Sequence, residues 1–196
     1  MAETNTKIIA PTKERGAFPG SSAAPTQKRR SRGAVSEYKK SLQEKQALRN
    51  LYGLSEKKFK KYVLDALSKI QKVTNVSDEL VKVLEKRLDN VVFRLGFAKT
   101  RAQARQLVNH SYFLINGKSV NIPSFQVGKG DVIEIKEGKK KKLIFQDLKK
   151  KKKKTETPSW LKLNKDSFKA DVSGEPSLAE VNPPVEISLI FEFYSK

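Results

Sequence analysis

A chain of 196 residues has room for one large domain or two small ones. Its 41 Lys and Arg outnumber 21 Asp and Glu, and the formal net charge of +20 is far more than solubility requires, so the partner expected is a polyanion. With no cysteine, a single histidine and no long apolar span, the chain excludes disulfides, thiolate or His-rich metal sites, cysteine nucleophiles and a membrane anchor. A soluble protein of a reducing, cytoplasmic interior is the expectation, with no cofactor and no metal.

Residues 1–35 are rich in Ala, Pro, Ser, Thr, Gly and basic residues and poor in large apolar ones, which predicts a basic disordered tail. Its start, "MAETNTKIIAPTKERGAF", has no continuous apolar run of the kind that directs secretion. Order is expected from Ser36, an N-cap for a helix carrying Tyr38, Leu42, Leu48, Leu51 and Tyr52 and ended by Gly53. Ser55 then caps a second helix in which Phe59, Tyr62, Val63, Ala66, Leu67 and Ile70 recur at steps of three or four, opposite Lys57, Lys58, Lys60 and Lys61. A third helix is read from Ser77 through Leu80, Leu84, Leu88, Val91, Val92 and Leu95 to Gly96.

Thr100 and Gln103 have the spacing of a capping box and open a fourth helix. At about 100° per residue, Ala104, Leu107 and Val108 share one side, and Arg101, Arg105 and Asn109 share another. Beyond His110 the period changes to that of strands. "YFLI", the turn Asn116-Gly117 and "KSVNI" form a hairpin signal, and "GKGD" is read as a second turn joining the strands "SFQV" and "DVIEI". Lysine runs at 139–142 and 149–154 flank "LIFQD", whose period does not separate helix from strand. "PSWLKLN" and "FKADV" read as strands. The apolar ending "ISLIFEFYSK" must pack on a core or be an aggregation liability.

The stretch "RLDNVVFRLGFAKTRAQARQLVNHSYFLINGKSVNIPSFQVGKGDVIEI" resembles the S-four RNA-binding domain, a helix-helix-hairpin module. "SEYKKSLQEKQALRNLYGLSEKKFKKY" before it, "PSWLKLNKD" after it and the ending "VEISLIFEFYSK" are similar, in the same order, to the bacterial ribosomal protein S-four family, over roughly residues 27–196. The chain departs from that family in lacking the Arg-Tyr dipeptide of its usual basic start and the four cysteines that some members carry as a zinc knuckle.

The resemblance implies an α+β fold: a small helical domain plus an S-four module of two helices on a small antiparallel sheet. The expected division is a tail at 1–35, a helical domain at 36–86, the module at 87–150, its extension at 151–182 and a C-terminal segment at 183–196 that packs back on the helical domain. It implies a structural, non-enzymatic component of the small ribosomal subunit, of a bacterium or an organelle, that binds rRNA directly, nucleates assembly and supports decoding accuracy. Its implied neighbours are small-subunit protein S-five and mRNA near the entry path. The competing readings are a stand-alone S-four RNA chaperone and an RNA-modification factor.

Because A-form RNA hides its base edges in a deep major groove, a basic platform that grips phosphates and 2′-hydroxyls is the site to seek. The residues assigned to it are Lys28, Arg29, Arg30, Arg49, Arg94, Lys99, Thr100, Arg101, Arg105, Gln106, Asn109, His110 and Lys118. Arg101 and Arg105 are each expected to hold a phosphate with both prongs of the guanidinium, so that their replacement weakens RNA binding and leaves the fold intact. Asp89, in an Arg-Leu-Asp triplet resembling that of pseudouridine synthases, is read as structural, on the helix face away from the core and paired with a nearby cation. No catalytic residue is assigned.

Overall fold

The structure, a computed structural model, describes residues 36–71, 73–142, 144–145, 157–164 and 167–195. Lys28, Arg29, Arg30 and the lysine run at 149–154 lie outside them. Two apolar cores are built from the described residues, one between helices and one between helices and a sheet.

The first core lies between α1 (Glu37–Leu51), α2 (Glu56–Leu67), α3 (Val76–Glu85) and the C-terminal helix α8 (Ile187–Ser195). Ser36 caps α1, accepting from the amide of Lys39 at 3.4 Å. In α2, Phe59, Val63 and Ala66 are the buried members of the predicted apolar stripe. The start of α3 differs from expectation: Asn75, one residue before the helix, accepts from the amides of Ser77 and Asp78, so Ser77 lies inside the first turn. The ending read as a homeless apolar segment is helical, and Ile187 and Ile190 enter the core with Leu48, Phe59, Leu80 and Leu84. Each such buried side chain contributes roughly 1.5–3 kcal/mol. The exposed pair Lys40–Glu186, at 3.4 Å, contributes at most about 1 kcal/mol, so apolar packing holds α8 to α1.

The third helix expected from Ser77 to Gly96 is two helices. α3 ends at Glu85, Arg87 turns extended at φ −64° and ψ 134°, and α4 (Leu88–Arg94) starts on a new axis. The break is made by a distant loop: the amide of Leu88 donates to the carbonyl of Phe125 at 2.8 Å and that of Asp89 to Pro123 at 3.2 Å. These carbonyls satisfy the free donors of the new helix start, a task that Arg87 has no side-chain acceptor to perform. For the same reason "SFQV" is not a strand. Its backbone is engaged with α4, and only Gln126 makes an isolated bridge, to Arg87.

α4 and α5 (Arg101–Asn109) cover a five-stranded antiparallel sheet in the order β2-β1-β3-β5-β4. The strands are β1 (Phe113–Ile115), β2 (Lys118–Val120), β3 (Val132–Ile135), β4 (Leu161–Asn164) and β5 (Lys169–Val172). Between β3 and β4 lies one turn of helix, α6 (Glu137–Lys140), and α7 (Leu178–Val181) leads to α8. Phe113, Ile115, Ile133, Ile135, Ala170 and Val172 alternate inward onto Leu88, Val91, Leu107 and Val108. The hairpin turn has φ 51° at Asn116 and 76° at Gly117, the left-handed pair that a two-residue antiparallel turn needs. Asn116 also reaches the next strand, accepting from the Val132 amide at 2.9 Å and donating to Asp131 at 2.8 Å. Of the ambiguous "LIFQD", Ile144 and Phe145 are helical, and Phe145 is fully buried beside the rings of Tyr112 and Phe168.

Candidate nucleic-acid interface

Where α1 turns into α2, the S-four-like helices meet the first core through charge. Two carboxylates, Glu85 and Asp89, are almost completely buried there, at 0% and 2% exposure, and three arginines, Arg87, Arg94 and Arg105, converge on them with Arg101 close by. Asp89 was expected on the outer face of a continuous helix. The break after Glu85 turns it inward instead, and its expected pairing with a cation is present twice. Its carboxylate accepts from Arg87 Nε at 3.1 Å and Nη2 at 2.7 Å, from Arg105 Nε at 3.0 Å and Nη2 at 2.9 Å, and from the amide of Asn90 at 2.9 Å. Burial opposes the charge of Arg87, yet its bonds to Asp89 leave the guanidinium above its ordinary value.

Glu85 accepts from the Tyr52 hydroxyl at 2.7 Å, from Asn90 Nδ2 at 2.8 Å and from Arg94 Nε and Nη2 at 2.9 and 2.8 Å. The hydrogen bonds to Glu85 lift the Arg94 guanidinium above its usual range. Burial and the Glu85 charge push the Tyr52 phenol well above its own range, so it stays protonated and donates.

Arg105 donates its remaining prongs to two carbonyls at the end of α1, Gly53 at 2.6 Å and Tyr52 at 3.0 Å. Nearly all of its donors are therefore internal. The expectation that Arg105 is free to grip a phosphate, and dispensable to the fold, gives way to a rivet between α5, α4 and the α1–α2 turn. Gly53, at φ +60°, lies against the same guanidinium, 3.5 Å from where a Cβ would sit.

Arg101 is held differently. Its guanidinium lies over Phe93 at 4.5 Å and Tyr52 at 5.0 Å, and Nε donates to Asn90 Oδ1 at 2.8 Å. Among the described residues no carboxylate pairs with it, and its Nη1 and Nη2 have no protein partner. Burial, with Arg94 adding to it against an opposing pull from Tyr52, draws this guanidinium below its ordinary value. A guanidinium nonetheless keeps its charge at any physiological pH.

Beside it, the capping box at the start of α5 is formed: Gln103 donates its amide to Thr100 Oγ1 at 3.1 Å, and the Gln103 side chain accepts from the amide of Lys99 at 2.7 Å. Lys99, Thr100, Gln106, Asn109, His110 and Lys118 are exposed. Lys99, Thr100 and Arg101 cluster at the opening of α5, whereas Asn109 and His110 stand at its far end and Lys118 on the outer strand β2. Arg49, near the end of α1, donates to Glu56 Oε2 at 3.2 Å and Asn50 Oδ1 at 3.1 Å, with a buried Nε that has no partner among the described residues. Glu85 and Tyr52 were not assigned to the site from sequence. The available signal was an acid at a core-facing position among Leu84, Leu88 and Val91. Lys139 and Lys142, 5.0 and 5.4 Å from the Tyr112 ring, were likewise read only as members of a charge run.

Comparison with known proteins agrees with this architecture. Residues 6–85 match the "Ribosomal protein S4/S9 N-terminal domain" and residues 86–133 match the "S4 domain". The chain is 46% identical over 162 residues to small ribosomal subunit protein uS4 of Persephonella marina, covering 82% of this chain and 78% of that one. It is 47% identical over 165 residues to the protein of the same name from a Sulfurihydrogenibium species, with 84% and 79% covered, and 45% identical over 174 residues to that of Chlorobium limicola, with 88% and 84% covered. A relationship that runs through both cores at this level makes the chain a member of the uS4 family of ribosomal proteins.

Proposed function

We propose that the protein is a structural constituent of the small ribosomal subunit that binds small-subunit rRNA directly, nucleates assembly and supports decoding accuracy. Its family is not a family of enzymes. The observation that carries the reading is Arg101: a cation held between two aromatic rings, without a carboxylate, with its outer edge open next to Lys99 and the helix start at Thr100. Such an edge matches two oxygens of one phosphate, and the free amides of the first turn of α5 add to the attraction. Arg94, Gln106, Asn109, His110 and Lys118 extend the surface toward phosphates and 2′-hydroxyls. Lys28, Arg29, Arg30 and Arg49 complete the proposed contact set, although Arg49 would have to leave Glu56. The same proposal takes residues 36–86 as the helical domain, 87–150 as the module with its extension at 151–182, and 183–196 as the returning segment. Its neighbours would be protein S-five and mRNA near the entry path, in a cytoplasmic or organellar small subunit.

Two measurements test this. Small subunits washed at high salt should retain the protein in stoichiometric amount; loss on washing would favour a stand-alone RNA chaperone. In filter binding to small-subunit rRNA, Arg101→Ala should weaken affinity roughly tenfold, as expected for one charge-assisted contact. Arg105→Ala should instead lower the melting temperature. An unchanged affinity for Arg101→Ala would remove this edge from the site.

A further inference from the structure

Among the described residues Glu85 is the most buried acid, and no part of it is open to a ligand. Its partners nevertheless include Asn90 and Tyr52, two of the three groups that hold Arg101. A carboxylate offers only acceptors. Asn90, 2.8 Å away, must therefore turn its Nδ2 toward Glu85, which obliges its Oδ1 to face the other way, where it accepts from Arg101 Nε at 2.8 Å. The amide of Asn90 is thus a relay whose direction Glu85 sets, through its carboxylate and through its backbone carbonyl, which accepts from the same Nδ2 at 3.2 Å. On its other oxygen Glu85 takes the Tyr52 hydroxyl at 2.7 Å, and the Tyr52 ring is one of the two surfaces on which the Arg101 guanidinium lies. The bidentate bond from Arg94 fixes the carboxylate plane itself.

We propose that Glu85 is a positioning residue for RNA binding: acting through Asn90 and Tyr52, it holds the guanidinium of Arg101 with Nη1 and Nη2 outward for a single RNA phosphate. This rests on the assignment of Arg101 to the RNA surface and goes beyond it in making a buried acid, with no RNA contact of its own, a determinant of affinity. The chemistry predicts which substitution is informative. In Glu85→Gln the side chain keeps its size, but its amide nitrogen must face donors, Arg94 Nη2 on one side or Asn90 Nδ2 and Arg94 Nε on the other. Asn90 cannot relieve the second conflict by flipping, because its Oδ1 would then face the Glu85 backbone carbonyl that now takes Nδ2 at 3.2 Å, so the amide is pushed from its place between Glu85 and Arg101. In either orientation one prong of the Arg94 fork is broken, and the side-chain plane that aims the Tyr52 hydroxyl and the Asn90 amide is released, which loosens the hold on Arg101 although Arg101 itself is unchanged.

The test uses the full chain and a transcript of small-subunit rRNA in filter-binding titrations across a range of salt. Each phosphate neutralised steepens the dependence of log K on log salt by about 0.7 to 0.9. Glu85→Gln should lose roughly tenfold in affinity at moderate salt, and its salt slope should become shallower by one phosphate. Arg101→Gln should do the same, and the double variant should be no worse than either single one, because both remove one contact. A purely structural role for Glu85 would lower the melting temperature and leave the slope of the folded protein as it is. If Glu85→Gln is not folded at the titration temperature, Asn90→Ala interrupts the same relay with the Glu85–Arg94 pair intact, and the same slope change is expected. A wild-type slope in the variant, or losses that multiply to roughly a hundredfold in the double variant, would overturn the proposal while leaving Arg101 in the site. Unchanged binding by Arg101→Gln would overturn both readings together.

Discussion

Replacing Asp89 by alanine removes the acceptor of five hydrogen bonds at once, two from Arg87, two from Arg105 and one from the amide of Asn90. The Arg87 and Asp89 side chains are each 3% exposed, so Arg87 would be left as a charge that water cannot reach. Breaking a buried pair in this way costs about 3–5 kcal/mol, against a total stability of about 5–15 kcal/mol for a domain. At about 2–4 °C per kcal/mol for chains of this length, the melting temperature should fall by roughly 6 to 20 °C. Asp89→Asn should fall nearly as far. One oxygen can still serve Arg87 Nε and the Asn90 amide, but the amide nitrogen then meets Arg87 Nη2, Arg105 Nε and Arg105 Nη2. Glu186→Ala, which removes a pair whose side chains are more than half exposed, serves as the control and should change stability by at most about 1 kcal/mol. Thermal melts followed by far-ultraviolet circular dichroism, with urea titrations to check that the transition stays cooperative, provide the readout. A melting temperature for Asp89→Ala within about 2 °C of the wild type would refute the idea that this carboxylate rivets the two cores together.

Gly117→Ala should cost about 1–2 kcal/mol through backbone conformation alone, since φ is +76° and no atom lies within 4 Å of the added Cβ; a urea midpoint equal to that of the wild type would contradict this. Glu56 joins α1, α2 and α8: burial opposes its charge, but the Lys45 ammonium, the Tyr194 hydroxyl and Arg49 hold its carboxyl below the ordinary 4.5. A carboxyl with a depressed folded pKa contributes stability above its unfolded value and loses it as the pH falls through the folded one. Glu56→Gln should therefore melt slightly below the wild type at neutral pH, with the gap closing below about pH 4.5; curves that stay parallel down to strong acid would sink the assignment. Because this carboxylate is 43% exposed, screening keeps the difference small.

What could be read from sequence here is what is periodic or local. The stripe Phe59, Val63 and Ala66, the capping box of Thr100 and Gln103, and the Asn116-Gly117 turn each depend on residues within a few positions of one another, and each is present. The helix break after Glu85 was not legible, because its cause is a loop near Phe125 whose carbonyls take over the donors of α4. The strand signal in "SFQV" failed for the same reason: an apolar alternation describes side chains and says nothing about where the backbone bonds go. The face shared by Arg101 and Arg105 followed from helical geometry, but which guanidinium is occupied did not. Arg105 finds its acceptors 16 and 52 positions away, at Asp89 and Gly53, and no local pattern distinguishes it from Arg101.

Three guanidiniums on two carboxylates, with Arg101 beside them, leave this junction with an excess of positive charge that the described residues do not neutralise. With the anion site proposed above, folding and anion binding are one coupled equilibrium. An anion seated on the open edge of Arg101, as proposed, would require Tyr52, Phe93 and Asn90 to be assembled, so it would favour the native chain over the unfolded one. At a hundredfold excess over its dissociation constant, such a ligand adds about 2.7 kcal/mol to stability, comparable to burying a large apolar side chain. On that proposal the chain without such an anion is the less stable form, and its thermal resistance depends on which anions surround it as well as on its own contacts.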